Sequence, residues 1–344
     1  MKVLIFSSLE LPYTKVARFT GLERIAVNFA NELNRTGHNV TICAHKDTWV
    51  DEGVKLLPCE GYEGHDYIHA EIRAYQQYQA LFRDYDVIHD IGHLHLIARF
   101  MSNLPTINVL NHAPVHAQYP KAPYNIVSWS RWGVWAFRRY YKQDARYQET
   151  IAIPPEQYFP ASQKRGDRYL TIGRMSQDKG NLNAAMLCQQ LGVPLDIVGG
   201  RGSEHRGDEL TEYEQQCRQI ADGTNIKFLG EVDDAEKITL MQSCKALIYA
   251  TNHTEITSHK VQECMFCGAP VILPNLGGLP EICTHGVDGF VCNNEAEYLV
   301  AISNVHNLSP EKTHEQVVAK YCTKNVVANY VKLYQEVANG LRWK

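Results

Sequence analysis

No stretch of the 344-residue chain stays apolar for the roughly 20 residues that a membrane-spanning helix needs. The apolar start, Met1 to Ser8, is broken by Glu10 before a secretory core or a span is complete. The expectation is a cytoplasmic chain, with membrane contact limited to a peripheral one at the inner face. Positive charge is also short. With 34 Lys and Arg against 38 Asp and Glu, the formal net charge is -4, and no global field gathers the phosphates of a nucleic acid. A local basic cleft stays open as an alternative. The ten cysteines lack the dense spacing of a disulfide framework, and Cys43 in NVTICA and Cys244 in MQSCKAL read as reduced, buried thiols. Short repeats and low-complexity tracts are missing too, which excludes solenoids and linker-rich modules.

What is present is ordinary globular composition, 44% apolar and 21% charged, on a length that suits two domains. Short apolar runs at Lys2–Ser8, Asn39–Ala44, Val54–Pro58, Asp86–Asp90, Thr106–Leu110 and Asn125–Ser128 read as buried strands. Between them fall helical patterns at Leu22–Arg35, Tyr67–Arg83 and a short one after Gly92. After Pro154, Pro155 and Pro160 the strand pattern restarts at Tyr169–Gly173, Leu195–Val198, Ile226–Leu229, Ala246–Tyr249 and Pro270–Leu273. Strands alternating with helices imply right-handed crossovers and a mostly parallel sheet. The expected class is α/β, with two tandem Rossmann-like, doubly wound domains whose strand C-terminal ends face a central cleft. Pro154 to Asp167 reads as the linker, giving domains 1–160 and 161–323, with a final helix in 324–344 that could pack back on the first domain.

Gly173-Arg174-Met-Ser-Gln-Asp-Lys179-Gly180 lies between a strand and a helix starting at Asn181. Two cations at such a turn suit a diphosphate, since backbone donors and the helix N-terminus already favour negative charge there. A solvated loop with surface cations would carry the same residues. Glu255 and Glu263 bracket the start of a helix from Ser258 to Phe266 that stops at Cys267-Gly268, so their carboxylates can hold hydroxyls of two different sugar rings. A surface helix is the bland alternative for the pair.

Together with Gly21-Leu-Glu23, Gly37-His38, FLGEVDD, CGAPVILPNLGGLPEI and GVDGFVC, these segments resemble the retaining GT-B glycosyltransferases of family 4. The resemblance runs over nearly the whole chain and is strongest from Tyr169 to Cys292. It implies a donor diphosphate on Arg174 and Lys179, the nucleotide ribose on Glu263, the transferred sugar on Glu255 and the base near Val232. Gly21 and Gly173 would let backbone approach the diphosphate, and His112 in INVLNHAP would face the sugar. Where family members often carry Pro-Phe-Gly after the first Glu, this chain reads Glu255-Ile-Thr-Ser-His259.

The reaction implied is transfer of a sugar, most simply a hexose, from a UDP- or GDP-linked donor to an acceptor hydroxyl with retained configuration. The donor phosphate takes the acceptor proton, and neither metal nor resident cofactor is called for. The acceptor is open among a lipid, a glycan, a small metabolite and a nucleic-acid base. The alternatives are a sugar-nucleotide epimerase of the same fold and a catalytically silent nucleotide-sugar-binding protein.

Other signals carry less. Asp84-Tyr-Asp86 has the form of a metal-binding Asp-x-Asp motif but precedes its strand. His89, His93, His95, His112 and His116 invite a zinc reading, against which packing is preferred. Cys264 and Cys267 have redox spacing inside a helix and read as packing residues. Gly199-Gly-Arg-Gly202 lacks the third glycine of a dinucleotide fingerprint and suits a loop near the diphosphate instead. From Trp129 to Lys142, aromatics alternate with Arg131, Arg138 and Arg139. That stretch reads as a packing helix between domains, with a membrane contact or an aromatic acceptor pocket as alternatives.

Overall fold

The computed structural model describes residues 1–14, 21–61, 67–114, 123–149, 153–161, 164–200 and 210–344. His116, Arg201 and Gly202 lie outside them. The chain forms two compact units, Met1–Pro154 joined by Tyr321–Lys344, and Pro155–Lys320.

In the first unit, β1 (Lys2–Phe6), β2 (Asn39–His45), β3 (Lys55–Cys59), β4 (Val87–Asp90), β5 (Thr106–Val109), β6 (Ile126–Ser128) and β7 (Ala145–Tyr147) form one sheet. Its order is β3-β2-β1-β4-β5-β6-β7 and every pairing is parallel. The helices are α1 (Leu22–Arg35), α2 (Tyr67–Tyr78), α3 (Leu96–Phe100) and α4 (Arg131–Tyr141). β1, β4 and β5 are buried along almost their whole length, which is why they appear as continuous apolar runs rather than as alternation. One sheet face packs Leu4, Phe6, Ile88 and Phe82 into a common core.

In the second unit, β8 (Tyr169–Ile172), β9 (Leu195–Val198), β10 (Ile226–Gly230), β11 (Leu247–Ile248), β12 (Val271–Pro274) and β13 (Gly289–Cys292) run in the order β10-β9-β8-β11-β12-β13, again all parallel. Around them lie α5 (Asn181–Leu191), α6 (Glu212–Ile220), α7 (Asp234–Ser243), α8 (His259–Phe266), α9 (Glu295–Asn304) and α10 (Pro310–Tyr321). Local chemistry sets several starts. Thr211 caps α6 at Glu214 N, Asp233 caps α7 at Glu236 N, and Asn294 caps α9 at Glu297 N. The final helix, α11 (Thr323–Ala338), packs in the first unit against α1, β4 and β5.

Strand order reverses between β1 and β4 in one sheet and between β8 and β11 in the other. Such reversals leave a crevice at the strand C-terminal ends where ligands of doubly wound sheets bind. Sequence patterning misses β7 and β13, because edge strands reading ARY and GFVC carry little apolar signal. The helical reading of Tyr67–Arg83 also changes form. α2 ends at Tyr78, and a 3-10 turn from Gln79 to Asp84 carries the chain into β4. In α4, Val134, Ala136 and Phe137 face inward, while Trp135 and Tyr140 are exposed at 56% and 51%. Among the described residues, no helix is long and apolar enough to cross a membrane.

Candidate functional site

The turn after β8 and the loop after β11 stand on the two sides of the second switch point. Lys179 comes from the first and Glu255 from the second, and Lys179 Nζ donates to Glu255 Oε1 at 2.6 Å. Tyr249, at the exit of β11, donates its hydroxyl to the same carboxylate, 2.8 Å from Oε1 and 3.0 Å from Oε2. Burial, reinforced by the Glu255 charge, pushes the Tyr249 phenol well above its ordinary range, so it stays a donor. Asp178 lies 3.6 Å from Arg174 Nη2 and 3.5 Å from Lys179 Nζ. Burial opposes its charge, but the Ser176 hydroxyl, Lys179 and Arg174 outweigh that and hold the carboxyl below its usual value. The Thr251 hydroxyl donates to the Asp178 carbonyl, so the β11 exit also fixes the cation-bearing turn.

Two glycines make this close approach feasible. Gly180 has φ +71°, and a Cβ there would stand 2.0 Å from the Ala250 carbonyl oxygen. Gly277 has φ +58°, and a Cβ there would stand 2.3 Å from the Glu255 carbonyl oxygen, which also accepts from Gly278 N at 2.8 Å. Both positions combine left-handed backbone with direct backbone contact, and only glycine meets both demands. At Gly173 a Cβ would lie 3.2 Å from the Lys179 Cβ, so the missing side chain lets Lys179 fold over the strand exit.

Glu263 sits in α8, and its carboxylate is held at both oxygens. The Tyr158 hydroxyl donates to Oε1 at 3.0 Å, while Lys237 Nζ stands 3.5 Å from Oε2 and donates to the Tyr158 hydroxyl at 3.2 Å. Lys260, one turn before Glu263, feels both carboxylates and both neighbouring lysines. Burial first, and then Lys179, lower its ammonium to about 8. Val232 lies buried in the loop between β10 and α7. The second unit therefore brings Arg174, Lys179 and Glu255 into one cluster and Glu263 into an adjoining one, with Lys260 coupled electrostatically to both.

Gly21 and His112 belong to the first unit. Gly21 opens α1 with φ -94°, a conformation open to any residue, so the case for glycine there is close approach alone. Nearby, the Ser8 hydroxyl donates to buried Glu23 at 2.8 Å, and burial raises the Glu23 carboxyl to about 7. His112 follows β5, is exposed, and stacks on His93, which follows β4. His112 Nε2 and His93 Nδ1 are 3.3 Å apart. Burial, then His112 and His95, hold His93 near 3, so it is neutral and can share only one proton with its neighbour.

Several further residues singled out in the sequence fall among the described ones. Asp86 precedes β4 and accepts from Lys2 N at 2.7 Å, at the strand ends opposite the switch-point crevice. Among the described residues, no group of three or more His, Cys, Asp or Glu side chains is placed to hold a metal ion. Cys264 and Cys267 are both buried in α8 or at its end, and burial raises the Cys267 thiol to about 12. Gly199 lies where a Cβ would meet the Gly173 carbonyl oxygen at 1.7 Å, placing it beside the β8 turn.

Sequence reasoning missed Tyr158, Tyr249, Lys237 and Lys260. Tyr249 is legible only as a strand residue, and Tyr158 reaches Glu263 across 105 positions, a distance at which no local pattern links them. Lys237 shows only its ion pair with Asp234 one turn away, at 2.9 Å.

Two parallel, doubly wound sheets in tandem with clustered cations and carboxylates at a switch point define a GT-B-type fold. Over 99% of the chain this architecture matches sucrose-phosphate synthase from Thermosynechococcus elongatus, covering 100% of that chain at a TM-score of 0.83 and 16% identity. Over 97% of the chain it matches HepE of Anabaena in complex with UDP and glucose, covering 99% of that chain at a TM-score of 0.73 and 16% identity. Residues 157–316, within the second unit, match the family of glycosyl transferases group 1. Among curated relatives, it is 24% identical over 161 residues to the N-acetyl-alpha-D-glucosaminyl L-malate synthase of Bacillus anthracis, 44% of this chain and 40% of that protein. The match thus spans less than half the length of that relative.

Proposed function

We propose that the chain is a retaining glycosyltransferase that takes its sugar from a nucleoside diphosphate donor, UDP- or GDP-linked, and delivers it to an acceptor hydroxyl. The observation that carries this reading is the 2.6 Å pair of Lys179 and Glu255 across the β8–β11 switch, with Arg174 beside it. A cation for a phosphate oxygen and a carboxylate for sugar hydroxyls are thereby held side by side.

In this reading Arg174 forks two diphosphate oxygens and Lys179 supplies a compact positive charge where the leaving phosphate gains negative charge. Glu255 accepts from the transferred sugar while Tyr249 fixes its carboxylate plane. Glu263 accepts from the ribose, held by Tyr158 and Lys237, and Val232 borders the base. Gly21 admits the diphosphate close to the α1 N-terminus, Gly173 does the same at the β8 exit, and His112 hydrogen-bonds the sugar from the first unit. The acceptor hydroxyl attacks the anomeric carbon on the face the diphosphate leaves. Its proton passes to the departing phosphate oxygen, the C–O bond to the acceptor forms as the C–O bond to phosphate breaks, and no separate base takes part. The solved HepE complexes with UDP and UDP-glucose support a uridine donor as the first to test.

Incubation with radiolabelled nucleotide sugars and a panel of acceptors tests the assignment. Label should move to an acceptor with release of nucleoside diphosphate. Label that stays on nucleotide with altered sugar configuration would make the chain an epimerase, and tight binding without conversion of any donor would make it a silent binding protein.

A further inference from the structure

The second unit holds a further cavity that the proposed transfer reaction leaves unused. It has a volume of about 640 Å³ and opens at the C-terminal ends of β12 and β13, between α5 and α9. Arg174, Lys179, Glu255, Glu263 and Val232 are not among the residues that line it.

Its chemistry is distinctive. Seven of sixteen lining side chains are amides, Asn183, Gln190, Asn252, Asn275 and Asn293 among them. The lining contains one carboxylate, Glu295, and no Lys or Arg. An anionic ligand such as a phosphate or a nucleotide therefore finds no counter-charge and meets a carboxylate at the rim. A purely apolar ligand would strip water from the amide donors and acceptors that the protein itself does not pair, which is costly. A neutral polyhydroxyl ligand fits both constraints. Each hydroxyl donates and accepts, as each amide does, and neither partner carries a charge to desolvate.

The remaining surface suits the C–H faces of sugar rings. Met186, exposed at 56%, forms one flank, and its flexible side chain adapts to ring outlines. The amides are not loosely placed. Asn183 donates to the Ala250 carbonyl at 3.1 Å, and Asn275 donates to Asn293 Oδ1 at 2.8 Å. Asn293 in turn donates to Glu297 at 2.8 Å. These bonds fix several amide orientations before a ligand arrives, which lowers the cost of binding. The volume falls within the roughly 300–1,000 Å³ range of small-ligand sites.

We propose that this cavity is a second binding site, for a short neutral saccharide. It shares a wall with the candidate donor site without overlapping it. Thr251 lines the cavity while its hydroxyl holds the Asp178 carbonyl, next to Lys179. A saccharide seated here would touch the back of the segment that positions the cations.

The test is direct binding to the full chain, by saturation-transfer NMR and calorimetry, of maltotriose, cellotriose, mannotriose and N-acetylchitotriose. Asn252→Ala, Gln190→Ala and their double variant are the probes, since both side chains are exposed and their loss leaves the core intact. At least one trisaccharide should bind at about 10 mM or below, and the double variant should weaken it at least about tenfold. Lys179→Ala should leave that affinity unchanged, which separates this site from the donor reading whatever the fate of that reading. The proposal is overturned if none of the four binds, if the double variant binds as well as the parent, if Lys179→Ala abolishes binding, or if an end-blocked glycine tripeptide binds more tightly than every saccharide.

Discussion

Lys179 and Glu255, separated by 75 intervening residues, meet at 2.6 Å because the turn after β8 and the loop after β11 flank the point where strand order reverses. Tyr249 binds both oxygens of the same carboxylate, so Glu255 is anchored independently of Lys179. Each carboxylate oxygen has two acceptor positions, which leaves room for sugar hydroxyls beside the tyrosine.

Removing the Lys179 charge should act mainly on the chemical step. We expect Lys179→Ala to lower kcat by about 10²–10³-fold with a smaller change in donor affinity, since the charge matters most as the phosphate departs. Arg174→Ala should impair both, because a guanidinium fork grips ground-state oxygens as well. Steady-state kinetics with parallel calorimetry give the split, and unchanged turnover in either variant removes that residue from the site.

Glu263 should matter even after the sugar has left. Loss of a charge-assisted ribose contact in Glu263→Ala is expected to weaken free nucleoside diphosphate by about 10- to 100-fold. Tyr158→Phe should show a smaller loss, because it removes one of the two groups steadying the carboxylate. Calorimetry with UDP and GDP reads both, and equal affinity in Glu263→Ala would make the ribose assignment wrong.

In the proposed reaction Arg174 and Lys179 supply the positive charge at the diphosphate, and same-face attack lets the departing phosphate act as base. Activity is therefore expected to survive a chelator, and proton NMR of early product should show the donor's anomeric configuration. Inversion would sink the mechanism. Strict metal dependence would mean that Arg174 and Lys179 do not suffice.

A pH effect on stability should come from His89, away from the chemistry. It is buried among Phe29, Tyr330 and Tyr334, with its Nδ1 2.7 Å from the Tyr334 hydroxyl, and burial lowers it to about 3. Between that value and 6.5 the unfolded chain binds a proton that the folded chain refuses, so stability present above 6.5 is lost as pH falls toward 3. One such group adds a slope of up to ~1.4 kcal/mol per pH unit. His89→Gln should flatten the acid limb of a denaturant-measured stability profile, and an unchanged slope would place the titration elsewhere.

Much of this is legible along the chain because it depends on neighbours in sequence. Buried parallel strands appear as apolar runs, and α1 is bounded in sequence as in structure, Leu22 to Arg35. The turn from Gly173 to Gly180 announces itself by two cations and two glycines between a strand and a helix. The short edges β7 and β13 are less visible, since a strand paired on one side needs little apolar surface.

What the sequence alone determined, then, is the alternation of strands and helices, and hence a pair of parallel sheets, together with the residue types offered at each strand exit. Only the tertiary structure decided which exits meet. Strand order puts β8 beside β11, and that adjacency, not any local pattern, joins Lys179 to Glu255 and lets Tyr249 bind both oxygens. It likewise carries Tyr158 and Lys237 to Glu263 and returns α11 to the first unit, where Tyr334 reaches His89 across 245 positions. Apolar periodicity is a property of a few consecutive residues, whereas a contact between distant side chains exists only once burial has fixed the order of the strands that carry them.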